Sequence, residues 1–490
     1  DVAVYLVHTR LPSARLDQAK CEDMDLIIAD NVARAAARQG IRQILCLRGL
    51  VADDDPDAET RARRNEVVEA LGAYGTPVTV LRASLVVAPG GSTVNLIAGL
   101  VDGARIVPVP RWANHPKQPI ALPDLLRAIR ECVLDPALAG GDYEIGGPVV
   151  TDWRGILRRA AELVKAHPRI VALRWCPRWL YAWWVRRRNP AAHPALARLL
   201  VADLEHDGVA RDNPLQTRIA EGALAPREAI SPFLEDLERG RPENPRSAQL
   251  PAYRTHLRAA RKVRSIQRMD LPSGRDEEWL AGYYFEWLGR VMRPFVACEP
   301  DAQGSYDIVV RWPRFTLLRL THDDGQDKPG RRNYFITGGV LADRERNEHG
   351  RMEFHTVLDG RYCIVAIHDF APSLPWNFYH GTQAVAHGIV MGLFQRHMRR
   401  LAAKAVLRRR LPRGRLEEIR MQAGPVTDKR NHGHPDRMRG GKSDARARIS
   451  STSPGGIQSG MPDSVRYADL QRAAVSGLRE VSASKLFPAP

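Results

Sequence analysis

Histidine is the residue type best suited to acid–base and metal chemistry, and one group of histidines in this chain invites that interpretation. His368 and Asp369 adjoin each other, and together with His355 and His380 they could form an acid–base or metal cluster. Side chains alternate between the two faces of a strand, so a strand running from Tyr362 places His368 and Asp369 on opposite faces. We therefore expect no shared site there and no metal centre.

Cysteine usage gives no sign of a metal or redox centre either. The chain has six cysteines, and no two of them form a CxxC pair, which argues against a zinc knuckle or a redox dithiol. Their small number suits a reducing cytosol, and no apolar run approaches the roughly 20 residues needed to span a bilayer. We therefore expect a cytoplasmic protein. The cysteines are Cys21, Cys46, Cys132, Cys176, Cys298 and Cys363.

Tryptophans and arginines are concentrated in residues 175–188, which read Trp-Cys-Pro-Arg-Trp-Leu-Tyr-Ala-Trp-Trp-Val-Arg-Arg-Arg. Aromatic rings beside arginines suit a membrane interface, where rings lie among the headgroups and cations pair with lipid phosphates. The same composition suits packing between two domains, with the tryptophans buried and the arginines at the rim. We favour the packing interpretation and keep peripheral membrane contact as the alternative.

The chain is strongly basic, but the distribution of its charge does not favour nucleic acid. The formal net charge is +17, which by itself would attract polyanions. Much of the excess lies near Arg186–Arg188 and in the C-terminal part from Arg399 onward. No recognised nucleic-acid-binding fold contains these stretches, so we do not expect nucleic acid as a partner.

The apolar runs predict two domains. A length of 490 residues exceeds one ordinary domain, and a hydrophobic content of 44% is enough for real cores. The runs Val2–Val7, Ile44–Leu47 and Pro77–Leu81 read as buried strands, and Asp25–Gln39 and Glu59–Tyr74 read as the helices between them. A β-α-β-α-β order with strands that do not alternate is typical of a parallel sheet covered on both faces.

A second, α+β domain is predicted at residues 261–408. Residues 151–220 look helical and extend the first domain to 1–220, whereas 221–260 are rich in Pro, Arg, Glu and Gly and read as a linker. Residues 409–490 are dominated by Gly, Pro, Ser and Arg, so we expect a disordered basic tail. The elements predicted in the second domain are Val263–Met269, Glu277–Phe295, Tyr306–Val310, Phe315–Leu320, Tyr334–Leu341, Arg351–Leu358, Tyr362–Ile367 and a final long helix, Trp376–Leu401.

Six short segments follow one another in the first 165 residues. They are Tyr5-Leu-Val-His8; Ala35-Ala-Ala-Arg-Gln-Gly40 leading into Ile41-Arg-Gln-Ile-Leu-Cys-Leu47; Arg64-Asn-Glu-Val67; Pro77-Val-Thr-Val-Leu-Arg-Ala-Ser-Leu-Val-Val-Ala-Pro-Gly90; Gln118-Pro-Ile-Ala-Leu-Pro-Asp124; and Tyr143-Glu-Ile-Gly-Gly-Pro148. Their order and spacing resemble the extended and atypical short-chain dehydrogenases, especially the NAD(P)-binding epimerase-like and NmrA-like group. The resemblance implies a partial Rossmann-like domain that binds a nicotinamide nucleotide and forms dimers by default.

The resemblance places Asp1 near the fourth strand of the family's sheet. The strands before it, with the glycine-rich turn that holds the pyrophosphate, are therefore expected upstream of the chain. Without them we expect NADP or NAD to bind weakly or not at all, and Gly90-Gly91 is interpreted as an ordinary turn. The residues expected to line the remaining cofactor wall are Leu6, Val7, His8, Arg64, Arg82 and Ser84.

The family's catalytic residues have no match. Its members use a Ser or Thr, a Tyr, and a Lys four residues after the Tyr that lowers the pKa of the Tyr. Here the strand end reads Leu47-Arg48-Gly49, and Thr60 and Arg64 occupy the Tyr and Lys positions. We therefore leave the catalytic residues unknown and expect an NAD(P)-binding oxidoreductase-like protein without this chemistry. The alternative is a non-enzymatic NmrA-like cofactor sensor or scaffold.

The second domain resembles the helix-grip folds, in which a curved sheet wraps around a long helix. An apolar small molecule often lies between sheet and helix in that fold, and aromatic side chains would line the space. The alternative, which we favour, is that these aromatics simply fill the core. The candidates are Trp279, Tyr284, Trp287, Phe335, Phe354 and Trp376.

Overall fold

The computed structural model describes most of the two predicted domains. It covers residues 1–7, 9, 14–50, 58–88, 91–190, 194–221, 223, 255–343, 345–347 and 349–410. His8, most of the predicted linker and the predicted tail beyond residue 410 lie outside these residues. Within them, no helix is long and apolar enough to cross a membrane.

The N-terminal domain is built on four parallel strands. They are β1 (Val2–Tyr5), β3 (Gln43–Gly49), β4 (Val78–Ala83) and β8 (Asp142–Ile145), and they lie in the order β1-β3-β4-β8. Ile44, Leu45 and Leu81 in the central strands are completely buried, as expected when a parallel sheet is covered on both faces. The predicted parallel sheet is confirmed, although β1 is an edge strand that ends earlier than predicted.

Four helices cover this sheet: α1 (Cys21–Arg38), α2 (Ala58–Gly72), α4 (Leu122–Leu134) and α8 (Pro214–Ala220). The first two pack on the face that carries Ile44 and Cys46. The other two pack on the face that carries Leu45 and Leu81. Successive residues of β3 thus serve opposite faces, so a continuous apolar run is what this strand requires.

Residues 86–204 add a helical layer with two short parallel ribbons. Its elements are β5 (Val86–Val87), α3 (Ser92–Val101), β6 (Ile106–Pro110), β7 (Ile120–Ala121), α5 (Trp153–Leu163), β9 (Arg169–Leu173), α6 (Arg178–Arg188) and α7 (Pro194–Leu204). The ribbons are β5–β7 and β6–β9. The helices predicted in 151–220 are present as α5, α6, α7 and α8, but β9 was missed, because its hydrogen-bonding partner is the distant β6.

The second domain contains one antiparallel sheet. Its own strands are β10 (Val263–Asp270), β11 (Val296–Pro300), β12 (Tyr306–Val310), β13 (Phe315–His322), β14 (Arg331–Gly338), β15 (Arg351–Val357) and β16 (Tyr362–Phe370), and its helices are α9 (Glu277–Val291), α10 (Trp376–Gly381) and α11 (Gln383–Arg410). The strand order is β11-β12-β13-β14-β15-β16-β10. The six predicted strands are confirmed, whereas β11 was missed and the predicted final helix is divided at Thr382.

The N-terminal segment contributes an eighth strand to this second sheet. β2 (Leu16–Ala19) pairs in parallel with β10, with Leu16 opposite Val263 and Ala19 opposite Ile266. α1 follows at once and packs its buried side, including Met24, against the second sheet as well as the first. The two domains are therefore joined through α1 and β2 and share one apolar cluster.

Candidate functional site

The predicted cofactor residues follow the carboxyl ends of the parallel strands. Tyr5 pairs with Cys46, and Gly49 pairs with Ala83, so the loops after β1, β3 and β4 begin along one edge of the sheet. Ligands of open α/β sheets bind outside this edge. Leu6 is 58% exposed there, and its place at this edge makes it a candidate ligand contact.

Arg82 and Ser84 lie at the end of β4, and both side chains contact other protein groups. Arg82 Nε donates to Asp142 Oδ1 at 2.8 Å, so the guanidinium lies over β8. Ser84 Oγ lies against Gly208, where an added Cβ would stand 3.0 Å from it. A nucleotide phosphate would therefore compete with Asp142 for Arg82, and the cofactor role of both residues stays a prediction.

Lys117 is a candidate that sequence reasoning missed. Its side chain is buried, and Nζ donates to the Asp203 carboxylate at 3.0 Å and to the Asp203 carbonyl oxygen. A Cβ on Gly208 would stand 3.5 Å from Lys117 Nζ and 3.0 Å from Ser84 Oγ. A cation and a hydroxyl thus flank one glycine beside the carboxyl edge. No local pattern marks Lys117, because its burial depends on the segment around Gly208.

A small apolar cavity adjoins these residues. It has a volume of about 60 Å³ and lies among the loop after β4, α3 and α5. Thr151 and Arg159 supply the polar groups of its lining. The cavity could hold a small apolar group next to Ser84. Its other lining residues include Leu85, Val87, Val94, Ile97, Pro119, Ile156 and Leu163.

The four tyrosines of residues 1–220 are unsuited to proton transfer. Burial raises the pKa of Tyr5, Tyr143 and Tyr181, and for Tyr74 burial and the neighbouring Asp30 carboxylate both raise the pKa. A catalytic tyrosine needs the opposite, a nearby cation that lowers its pKa.

The positions expected to replace the family's Tyr and Lys, Thr60 and Arg64, lie in α2. Their side chains are outside the described residues, as is the whole of His8. Of the six predicted cofactor residues, the described structure therefore brings Leu6, Val7 and Ser84 to the carboxyl edge of the sheet and directs Arg82 onto Asp142.

A second polar centre lies between the two domains, and here the expectation about histidines needs correction. His355 and His368 are both buried and both approach Glu353, with His355 Nδ1 at 3.4 Å and His368 Nε2 at 3.7 Å from its oxygens. Asp369 lies apart from His368, as the alternation of side chains along a strand predicts, and it pairs with Lys262. The argument failed for His355 because that residue comes from the neighbouring strand on the same face.

This centre is tied to the first domain through Asp30. His355 Nε2 donates to Asp30 Oδ2 at 2.6 Å, and Arg34 Nε donates to the same oxygen at 2.7 Å. Burial alone would raise the pKa of Asp30, but these two bonds outweigh it and lower the pKa. Burial likewise opposes ionisation of Glu353, yet the Arg331 cation and the hydrogen bond with His355 hold its pKa well below the usual value. Both carboxylates are therefore ionised within the protein.

His322, Asp324 and Asp327 form another cluster, with ligand atoms within 4.8 Å of one another. The two imidazole nitrogens face different carboxylates, with Nε2 at 2.8 Å from Asp327 and Nδ1 at 3.2 Å from Asp324. Asp327 also accepts from the backbone N–H of Asn333 at 2.9 Å. These bonds account for the cluster as hydrogen-bonded structure around β13 and β14.

The favoured interpretation of residues 175–188 was wrong. Trp175, Trp179 and Trp183 are 82%, 72% and 57% exposed, so they are not buried between domains. Only the side of α6 that carries Tyr181 and Val185 is buried, and it packs within the first domain. Trp184 is half-buried against the same cluster, whereas the other three tryptophans of the stretch are exposed to solvent.

The aromatic candidates of the second domain, except Phe335, belong to one core cluster or pack against it. Rings contact rings throughout this space; Tyr284 and Phe354 lie 6.1 Å apart between centroids, and Phe285 stacks on Tyr306 at 4.0 Å. This agrees with the core-filling interpretation, while an apolar ligand stays a prediction. The buried candidates are Tyr284, Trp287 and Phe354; Trp279, Phe335 and Trp376 are half-buried; and the aromatics that were missed include Phe285, Tyr334 and Phe394.

Comparison with known proteins gives partial similarities. No protein-family model matches the chain. The chain is 37% identical over 78 residues to the auxiliary protein GraX of Staphylococcus aureus (strain NCTC 8325 / PS 47), a match that covers 16% of this chain and 22% of that protein. The matched stretch thus spans less than a quarter of this relative's length.

Solved structures similar to the chain include three with nucleotide-related descriptions. A nucleoside-diphosphate-sugar epimerase from Staphylococcus aureus is 13% identical, with a TM-score of 0.35 over 48% of this chain and 76% of that one. The triphenylmethane reductase of Citrobacter sp. complexed with NADP(H) is 12% identical, with a TM-score of 0.34 over 44% of this chain and 75% of that one. The NADPH-dependent quinone oxidoreductase of Escherichia coli complexed with NADPH is 17% identical, with a TM-score of 0.33 over 42% of this chain and 70% of that one.

Proposed function

We propose that residues 1–220 bind a nicotinamide nucleotide along the carboxyl edge of the parallel sheet, in an atypical short-chain-dehydrogenase-like oxidoreductase that works without tyrosine-dependent proton transfer. The observation that carries this proposal is the alignment of the loops after β1, β3 and β4 along one edge, with Leu6 exposed on it. Leu6 and Val7 would contact a ring of the nucleotide. Ser84 and Lys117 would face its polar part.

The described residues of this site offer few groups that could bind the phosphates of a nucleotide. A dinucleotide normally rests its pyrophosphate on a glycine-rich turn and a helix N-terminus. The described part of the chain offers Arg82 near the edge, but Asp142 already neutralises it. We therefore propose that a glycine-rich segment supplied upstream is needed for tight binding of NADP or NAD.

The test is calorimetric titration of NADPH and NADH into two proteins, this chain and the chain extended by its upstream coding sequence. We expect the extended protein to bind in the micromolar range and this chain to bind at least tenfold more weakly. Absence of binding to both proteins would show that the proposal is wrong. NADPH oxidation measured with quinone and carbonyl acceptors then reports turnover.

Arg82 allows a matched pair of variants in the extended protein. If Arg82 contacts a phosphate, R82Q should weaken binding about tenfold through loss of a charge-assisted hydrogen bond, whereas D142N, which frees Arg82, should not weaken it. R38Q removes an exposed arginine near the C-terminal end of α1, away from the carboxyl edge, and serves as the control. Equal effects of R82Q and R38Q would remove Arg82 from the site.

A cofactor sensor is the second candidate, and the connection between the domains favours it. The segment after β1 carries Leu6 and Val7, and it leads into β2, which is an edge strand of the second sheet. A nucleotide on this segment would thus act directly on the second domain. Amide exchange at β2 that slows with NADPH, in a protein without NADPH turnover, would support the sensor; turnover with unchanged exchange would support the enzyme.

For the second domain we propose a helix-grip-like fold. Seven antiparallel strands form its sheet, α11 packs on β10, and Met391, Phe394 and Met398 of that helix lie in the core cluster of this domain. An apolar ligand would have to displace rings that are already packed. Titration with a fluorescent fatty acid therefore tests it directly, and binding weaker than millimolar would leave the aromatics as core alone.

A further inference from the structure

Three tryptophans project into solvent at α6. Trp175, Trp179 and Trp183 are separated by four residues each, and Trp179 and Trp183 therefore lie on the same side of the helix. Trp175 precedes the helix by three residues. We call these three side chains the tryptophan face. Scattered exposed apolar side chains are ordinary, but contiguous large ones mark an interaction site.

The opposite side of α6 is firmly anchored. The Tyr181 hydroxyl accepts from Trp153 Nε1 at 2.9 Å, and the Tyr181 ring stacks on Trp184 with centroids 5.4 Å apart. Val185 is completely buried. The orientation of the helix is thus fixed by its core side, and the exposure of the tryptophan face is a consequence of that packing.

Two cations flank the tryptophan face. At 100° per residue, Arg186 lies about 20° around the helix from Trp179, and Arg187 lies about 40° from Trp183. Both arginines are exposed, and neither has an ion-pair partner within the described part of the chain. By contrast, Arg178 pairs with Glu205. Unpaired guanidinium groups therefore stand beside the exposed indoles.

We propose that the tryptophan face, with Arg186 and Arg187, docks the protein on an anionic membrane surface. Indole rings lie at the headgroup level of a bilayer, and guanidinium groups pair with lipid phosphates. An extended anionic surface also matches the net charge of +17, because basic groups outside the face add attraction within a Debye length. A peripheral position follows, since the helix lies along the surface.

Two other exposed apolar sites compete with this assignment. Trp312 is 90% exposed at the turn between β12 and β13, and Val385, Ile389 and Leu393 form an exposed stripe on α11. The stripe is purely aliphatic, and Trp312 stands apart from a helix that could lie in the interface. Neither has aromatic and unpaired basic residues together along one helix.

The test is sedimentation of the full chain with vesicles at low salt. Vesicles of one part phosphatidylglycerol to two parts phosphatidylcholine should bind the protein, and 0.5 M NaCl or pure phosphatidylcholine should release it. R186Q/R187Q should weaken binding roughly 30-fold, at about fivefold per arginine, and W179A/W183A should weaken it at least tenfold. Because these side chains are exposed, circular dichroism should show unchanged folding.

Matched controls separate this face from general charge and hydrophobicity. R158Q/R400Q removes two exposed arginines elsewhere, and L126A/L134A removes two exposed leucines of α4; both should bind within about twofold of the parent protein. The proposal is wrong if these controls lose binding equally, or if W312A abolishes binding while W179A/W183A does not. It is also wrong if W179A/W183A converts a dimer to a monomer, since the face would then join two copies of the chain.

Discussion

Replacing Asp30 with alanine should destabilise the whole protein, because this carboxylate joins the two domains. Its oxygens accept from His355 at 2.6 Å, Arg34 at 2.7 Å and the Tyr74 hydroxyl at 2.8 Å. Asp30 and His355 are completely buried, whereas Arg34 and Tyr74 reach solvent and can rehydrate. Most of the lost stability in D30A should therefore come from the buried His355 imidazole, which loses its acceptor.

The magnitude follows from that asymmetry. Removing one partner of a buried charged pair costs about 3–5 kcal/mol, and the lower end applies here because two of the three donors regain water. A loss of about 3 kcal/mol in the free energy of unfolding corresponds to a melting temperature lower by roughly 6–12 °C for a domain of 150–250 residues. D30N keeps the shape and one acceptor and should cost about half as much.

The assay is thermal and urea unfolding followed by circular dichroism and tryptophan fluorescence. Glu22, an exposed carboxylate in the first turn of the same helix, provides the control variant E22A. A cycle of D30A, H355A and the double variant should give a coupling energy above about 1 kcal/mol. If D30A is no more destabilising than E22A, or if the coupling energy is zero, Asp30 does not join the domains.

Two further outcomes are expected. Burial lowers the pKa of His368 to about 3 and of His387 to about 4, so these two side chains gain protons below pH 6.5 only in the unfolded chain. The free energy of unfolding should therefore fall by up to about 1.4 kcal/mol per histidine for each pH unit below 6.5. Urea midpoints measured from pH 7.5 to 5 should fall less steeply in H387Q than in the parent protein, and an unchanged slope would contradict this reasoning. G339A should lower the free energy of unfolding in urea by over about 2 kcal/mol, because Gly339 has φ of +104° and an added Cβ would stand 2.3 Å from the Leu317 carbonyl oxygen. G274A, at a glycine with φ of +79° and open space around it, should lower it by about 1 kcal/mol. Equal losses in the two variants would exclude the steric clash.

The strands of both domains could be predicted because their apolar patterns are local. Non-alternating runs such as Ile44–Leu47 report burial on both faces, and the strands of the second domain are short, well separated runs. β9 and β11 escaped prediction because a run of five residues is too short to carry a clear periodicity. The division of the predicted final helix at Thr382 was missed because apolar residues continue on both sides of Thr382.

The candidate site could be predicted only in part. The edge of the sheet was predictable, since residues after parallel strands must meet there, and Leu6 and Ser84 follow two of these strands. The burial of Lys117 and the pairing of Arg82 with Asp142 were not, because both depend on contacts between residues 60 or more apart. The same holds for His355 and Asp30, which are 325 positions apart.

The sequence by itself determined most strands of the second domain, and that the first domain would contain a parallel sheet. It also determined that residues 175–188 are rich in tryptophan and arginine. Only the tertiary structure decided that β2 joins the second sheet, that Asp30 meets His355, and that the tryptophan face points into solvent. The physical reason is that periodicity records which side of an element is apolar, whereas what covers that side depends on long-range packing.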